Sequence, residues 1–317
     1  MDIDEIVTAV NCYRPVAADD YPVRTVAVIG TGMIGTSVAL ALRRCGIVTY
    51  LHDDDPTAAA VAASERGAGI LGLPPSGADL TVVAVPPRST AAVLAECQAK
   101  GLSRLYTDVA SVKSSVLTEA ERLGCDLTTY VAGHPMAGGE RSGPMAASAI
   151  LFDDRVWVLT PDTHTRADVL RAVHDVVAGI GARPVVMSPA EHDRAVARTS
   201  HVPHLISALL AARLDGADQS VLRLCGAGIR DTTRIAAGNA ELWAEILQAN
   251  AAEVAKVLSE ISIEMLAASD ALRGDAGELA ALLRRGNVGR AALTTSPPVP
   301  GPRKVGAAYP RLDEAAV

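Results

Sequence analysis

Large aromatic side chains are scarce in this 317-residue sequence, which has a single Phe (Phe152), two Trp and six Tyr. Its apolar content is mostly Ala, Val and Leu, so any core must be built from closely packed aliphatic strands and helices. Basic runs are missing as well. The formal charge is −7, and nothing offers the phosphate neutralisation that nucleic-acid binding needs. No uninterrupted apolar stretch reaches the roughly 20 residues that span a bilayer, and the opening MDIDEIV is acidic where a secretory leader would be basic. Neither a nucleic-acid nor a membrane partner is expected. The five cysteines (Cys12, Cys45, Cys97, Cys125, Cys225) lie far apart and form no CxxC pair. That pattern excludes a disulfide frame and reads as buried thiols in a reducing, cytoplasmic setting.

What is present is organised in two blocks. From Arg24 to Met187, short β-branched runs (TVAVIG, IVTYLHD, LTVVAVP, RLYTDVA, TTYVAGH, RVWVLTP, ARPVVMS) alternate with Ala-rich segments of helical length. Alternation of this kind predicts an α/β fold with a mainly parallel, doubly wound sheet. At Ser188 the pattern changes, and to about Arg285 only helical stretches follow. The expected architecture is a nucleotide-binding domain over 1–187 with a short N-terminal extension, then an all-helical domain over 188–285. A flexible tail over 286–317 is expected from its Pro- and Gly-rich composition.

The run VAVIGTGMIGTS places Gly30, Gly32 and Gly35 in GxGxxG spacing after a strand and at the start of a helix, with Met33 and Ile34 between the last two. These are the glycines of a Rossmann-type dinucleotide site: one for the tight turn, one for backbone approach to pyrophosphate, one for helix–sheet packing. The second strand ends in Asp53, eighteen residues past Gly35, where an acid would bind the adenosine ribose. Asp54 and Asp55 follow, and no Arg is adjacent. A 2′-phosphate would meet three carboxylates, so NAD is expected over NADP. Pro86, at the end of VVAVPP, is placed in the same crevice by fold analogy.

Three further segments carry a resemblance: DVASVKS (108–114), GHPMAGGERSG (133–143), and SHVPH (200–204) followed by GIRDTTRIA (228–236). In this order, together with the glycine fingerprint, they resemble the prephenate and arogenate dehydrogenases of tyrosine biosynthesis over roughly 23–282. The resemblance implies oxidative decarboxylation of a cyclohexadienyl acid: hydride leaves the ring carbon bearing the hydroxyl, and the ring carboxylate departs as carbon dioxide. A base must take the hydroxyl proton. His134, neutral near pH 7 and held extended by Pro135, suits that task. Ser111 resembles the family serine that contacts the same hydroxyl, and it is also a plausible N-cap for a helix beginning near Val112. Arg230 and Arg234 stand one helical turn apart, and Arg234 resembles the arginine that receives the ring carboxylate. Asp231 is expected to pair with one of them. The resemblance makes His204 a contact to the substrate side chain, with Ser200 and His201 lining the pocket and Glu140 at its mouth. The HxxH spacing of His201 and His204 invites a metal reading, but no third ligand has suitable spacing, and no metal is expected.

Some positions depart from the family pattern. Gly139 stands where Thr is common, Ile229 where Phe is common, and Ala240 where a Pro commonly precedes the Trp. Substrate identity among prephenate, arogenate and 4-amino-4-deoxyprephenate stays open at this point, with prephenate taken first. A β-hydroxyacid dehydrogenase would need a Lys near the start of the helical domain, and Lys100, Lys113, Lys256 and Lys304 do not supply one. A catalytically silent NAD-binding regulator would have lost the base and the carboxylate receiver. The apolar surface of the helices beyond Pro189 suggests a homodimer.

Overall fold

The computed structural model describes residues 23–139, 141–274 and 276–295. Eight strands form one sheet: β1 (Thr25–Ile29), β2 (Val48–His52), β3 (Ile70–Leu71), β4 (Ala78–Val83), β5 (Ser103–Asp108), β6 (Tyr130–Pro135), β7 (Val156–Thr160) and β8 (Arg183–Val186). Their order is β3-β2-β1-β4-β5-β6-β7-β8. The pairings from β3 through β6 are parallel, β7 runs antiparallel to β6, and β8 is parallel to β7. All seven strands expected from the sequence form. The eighth, β3, is an exposed two-residue edge strand, too short to leave a periodic trace.

The sheet is covered on both faces, which is why its central strands read as unbroken apolar runs. Along β1 the side chains alternate between two cores. Val26 and Val28 pack with Leu42, Leu51, Leu80, Val82 and Leu159 on one side. Ala27 and Ile29 pack with Leu94, Tyr106, Leu117 and Tyr130 on the other. The covering helices are α1 (Met33–Arg44), α2 (Pro56–Ala60), α3 (Pro87–Ala99), α4 (Ser114–Arg122) and α5 (Ala167–Gly179).

Beyond Val186 all regular structure among the described residues is helical: α6 (Pro189–Val196), α7 (Val202–Ala211), α8 (Gln219–Leu222), α9 (Ala227–Thr233), α10 (Ala240–Ala249), α11 (Ala251–Ala271) and α12 (Ala276–Thr295). The boundary is chemically marked. Ser188 and Glu191 close a capping box, with Pro189 at the first helical position. A π-helical turn, Ala197–His201, joins α6 to α7. The tail expected from 286 onward is corrected over its first part, because α12 continues to Thr295. The two glycines there weaken a helix without stopping it, and the first Pro arrives only at Pro297. Residues 296–317 and the N-terminal extension lie outside the described residues. The thiols also need correction: Cys97 is buried, while Cys45, Cys125 and Cys225 are only partly so.

Candidate active site

The strand order reverses between β1 and β4, and the crevice above their C-terminal ends is where doubly wound sheets bind ligands. The loop from Gly30 to Gly35 fills one side of it, and Pro86 stands at the end of β4 as the residue preceding α3. Gly30 has φ +100, and an added Cβ would lie 2.3 Å from the Ala84 carbonyl oxygen. At Gly32 an added Cβ would meet nothing within 4 Å, so this side of the loop is open to an incoming group. Met33 and Ile34 begin α1, whose first turn carries no acidic residue and whose N-cap supplies no side-chain bond. Its amides are left to an anion. Asp53 is brought to the loop itself: its Oδ2 accepts from the Thr31 amide and, at 2.9 Å, from the Thr31 hydroxyl. These residues fit a dinucleotide. The acidic run is not uniform, however, because Asp55 caps α2 by accepting from the Thr57 amide.

His134 lies in β6, paired with Val158 of β7, and is nearly buried. Its Nδ1 is 2.8 Å from Nε2 of His192, and Nδ1 of His192 is 2.8 Å from Oδ1 of Asp193. The two imidazoles meet edge-on. Asp193 also accepts from the amides of Lys113 and Ser114, both at 2.9 Å, and so caps the start of α4. Burial pushes the Asp193 carboxyl up, but hydrogen bonds from His192, Ser114 and Lys113 outweigh it and hold the group at about 2. Burial drives His134 the other way, well below the ordinary histidine range. His192, Lys113 and His201 push in the same direction, and Asp193 opposes. His134 is therefore a neutral imidazole at physiological pH, the form a base requires.

Beneath it lies a fully buried ion pair. Lys113 Nζ donates to Asp108 Oδ1 at 2.6 Å and to the Gly133 carbonyl at 2.5 Å. The Tyr130 hydroxyl donates to the other Asp108 oxygen. The ammonium thus ties the end of β5 to the strand carrying His134. Ser111 sits in the turn between them, half-buried, and its hydroxyl makes no hydrogen bond among the described residues. It is not the helix cap, since α4 begins at Ser114 and the Asp193 carboxylate does the capping.

On the helical side, His204 stacks flat on Trp243, with centroids 3.6 Å apart and planes 11° from parallel. His201 meets the same indole edge-on, and its Nδ1 is 3.2 Å from the Asn250 amide nitrogen. Burial, helped by His192, pulls His201 down to about 4. Ser200 is half-buried in the π turn beside it. Arg230 is exposed, with Nε donating to the Cys225 carbonyl at 3.3 Å. Arg234 is exposed where α9 tightens into a 3-10 turn, so the two arginines do not share one continuous helix. Asp231 pairs with neither among the described residues, a correction that follows from its exposure to solvent. Glu140 lies outside the described residues. The GHPMAGG loop nonetheless reaches the nucleotide crevice: a Cβ on Gly139 would lie 3.8 Å from Met33 Sδ.

Residues 38–186 match the family model described as prephenate dehydrogenase, nucleotide-binding domain, and residues 188–285 match prephenate dehydrogenase, dimerization domain. The chain belongs to the prephenate dehydrogenase family. It is 45% identical over 252 residues to NovF of Streptomyces niveus, named a probable prephenate dehydrogenase, covering 79% of this chain and 69% of that protein. It is 32% identical over 267 residues to the cyclohexadienyl dehydrogenase of Zymomonas mobilis, covering 80% and 90%. The match to the Bacillus subtilis prephenate dehydrogenase, 32% identical, covers 71% of this chain and 64% of that one. Among solved structures, the A. aeolicus prephenate dehydrogenase in complex with hydroxyphenyl propionate and NAD+ superposes with a TM-score of 0.78 at 25% identity, over 87% of this chain and all of that one. The Synechocystis arogenate dehydrogenase gives 0.70 at 29% identity, over 85% and 99%.

Within this prephenate dehydrogenase fold, sequence reasoning missed His192, Asp193, Lys113, Asp108 and Asn250. The only signal for the first two was an acidic-His-acidic run just after the capping serine, and a solvated helix face looks the same. Lys113 and Asp108 belong to the DVASVKS segment, but nothing in their spacing announced that both would be wholly buried.

Proposed function

We propose that this protein is an NAD-dependent dehydrogenase that converts prephenate to 4-hydroxyphenylpyruvate by oxidative decarboxylation. The observation that carries the reading is His134, a neutral imidazole held at a strand end, with its following loop against the first turn of the glycine-fingerprint helix. Gly30, Gly32, Met33, Ile34, Gly35, Asp53 and Pro86 would hold the dinucleotide, with Asp53 on the adenosine ribose. When bound, NAD supplies the hydride acceptor.

The chain's own residues do the rest. His134 Nε2 has no protein partner among the described residues, and it accepts the proton of the ring hydroxyl. Loss of that proton builds the carbonyl character that makes the same carbon a hydride donor. The uncommitted Ser111 hydroxyl orients the substrate hydroxyl toward His134. Arg234 receives the ring carboxylate through its planar fork. This contact serves orientation, because holding the carboxylate too tightly would oppose its departure. His204, fixed against Trp243, contacts the substrate side chain, with Ser200 and His201 in the wall behind and Arg230 and Glu140 toward the mouth.

The protein is also proposed to act as a homodimer. Ile263, Met265 and Leu266 on α11 and Leu283, Val288 and Leu293 on α12 are all more than 60% exposed. So much apolar surface on two adjoining helices suits a second copy. No helix among the described residues is long and apolar enough to cross a membrane.

A side-by-side assay of prephenate, arogenate and 4-amino-4-deoxyprephenate with NAD, followed by NADH absorbance, tests the reading. The highest kcat/KM is expected for prephenate. A preference for either amino acid would move the assignment within the family, and no turnover of any of the three would remove it.

A further inference from the structure

His192 is wholly buried and stands directly behind the base, where it touches no part of the open crevice through its two ring nitrogens. Both are committed, and the order of their hydrogens follows from chemistry alone. Asp193 is ionised and can only accept, so the hydrogen between it and His192 belongs to His192 Nδ1. With only that hydrogen on its ring, His192 then offers a lone pair at Nε2. The hydrogen in the next 2.8 Å contact must therefore sit on Nδ1 of His134, which leaves the His134 lone pair on Nε2. Neutral imidazole in water prefers the opposite tautomer, with the hydrogen on Nε2, and that form could not take a proton there. The arrangement is held from outside as well. Asn250 donates to the Asp193 main-chain oxygen at 2.8 Å, and the Lys113 and Ser114 amides fix both carboxylate oxygens.

We propose that His192 and Asp193 are positioning residues that lock His134 in the Nδ1–H tautomer and place a carboxylate one imidazole away from the charge His134 gains. The proposal rests on the reading of His134 as the base. When Nε2 takes the substrate proton, His134 becomes an imidazolium whose Nδ1–H still points along the relay toward Asp193. No other group must gain or lose a proton. His192, Lys113 and His201 oppose that charge, and among the described residues the Asp193 carboxylate is the neighbouring group that favours it. This is the logic by which a buried acid orders a histidine in hydrolytic triads, here with a second imidazole interposed.

Asp193 also caps α4, so replacing it would mix two effects. The test therefore uses His192→Leu, which removes the acceptor, and His192→Gln, whose amide oxygen can still accept from His134 Nδ1. Histidine ring nitrogens of the NAD-saturated, 15N-labelled full-length protein are assigned by NMR, and steady-state kinetics are measured with the best of the three acids. In the wild type, His134 is expected to carry its hydrogen on Nδ1. In His192→Leu the hydrogen shifts largely to Nε2 and kcat falls roughly tenfold or more, with KM within about twofold. His192→Gln keeps the wild-type tautomer and most of the lost turnover. A wild-type His134 with its hydrogen on Nε2 overturns the proposal, as does a folded His192→Leu with unchanged tautomer and kcat. If His192→Leu does not fold, the wild-type tautomer and His192→Gln decide. Failure of the base assignment would look different: His134→Asn would keep its turnover while the tautomer in the wild type stayed as stated.

Discussion

A Cβ placed on Gly35 would lie 1.9 Å from the carbonyl oxygen of Gly30, so these two fingerprint glycines are bound to each other by backbone contact. Gly32, between them, has empty space on the corresponding side. The same motif therefore contains one glycine needed by the fold and one that leaves open space for the proposed dinucleotide. Gly35→Ala should lower the melting temperature by several degrees, since neither partner atom can move without displacing α1 or β1. Gly32→Ala should melt within about a degree of the wild type yet bind NAD at least roughly tenfold more weakly. Thermal melts and calorimetric NAD titration of the two variants separate these effects. Equal loss of stability in both would refute the division.

Asp53 bears on which dinucleotide is accepted. Its carboxylate is held on the loop by Thr31, where a 2′-phosphate would meet a fixed negative charge. A strong preference for NAD over NADP is expected, and Asp53→Ser should raise kcat/KM for NADP while lowering it for NAD. Equal wild-type activity with both cofactors would contradict this.

His134 and Arg234 should fail in different ways. His134→Asn is expected to lower kcat by roughly 100- to 10,000-fold with little change in KM. Arg234→Gln should act mainly on KM, through loss of a charge-assisted contact of about 1.5–3 kcal/mol. Because burial depresses the His134 pKa, kcat/KM in the wild type should stay flat from neutral pH to below 6.5 before its acid limb begins. An acid limb centred above pH 6.5 would contradict the buried, neutral imidazole.

Stability should depend on pH over an overlapping acid range. His201 stands at about 4 in the folded protein against an ordinary 6.5, so the unfolded chain binds more protons between those values. Folding stability is then complete above about pH 6.5 and is lost as the pH falls toward 4. The share of His201 by pH 5 is roughly 2 kcal/mol at about 1.4 kcal/mol per pH unit. Asp193, held at about 2, contributes its loss only below the usual carboxylate range, outside this window. Urea unfolding between pH 7.5 and 4.5 should show the decline, and His201→Gln should make it shallower by the His201 share, because His134 and His204 are also held below the ordinary histidine range. An unchanged slope in that variant would assign the effect elsewhere.

The sheet was legible in the sequence because strands buried on both faces leave unbroken apolar runs such as TVAVI, and glycine or a capping serine marks their ends. β3 escaped notice because two exposed residues carry no period. Gly30, Gly32, Gly35 and Asp53 could be singled out because a glycine fingerprint depends on local spacing, and His134 and Arg234 because their segments resemble a family; the roles of all six remain proposals. His192 and Asp193 could not be, since their meaning comes from a contact with a residue 58 positions earlier in the chain. Asp231 was misjudged for the complementary reason: closeness in sequence suggested an ion pair, and solvent removed the incentive to form one.

The relay behind His134 crosses the boundary between the sheet and the helices. His134 belongs to β6, whereas His192 and Asp193 arrive only with α6, after the last strand has ended at Val186. A polypeptide ending there would keep every glycine of the fingerprint, Asp53, Ser111 and the imidazole itself, but not the groups that order its hydrogens. On the proposed reading, the sheet supplies the residues that would hold a dinucleotide, and the segment that follows it orders the imidazole that would accept the proton. Ordered proton transfer by His134 thus depends, on that reading, on the helical half having docked against the sheet.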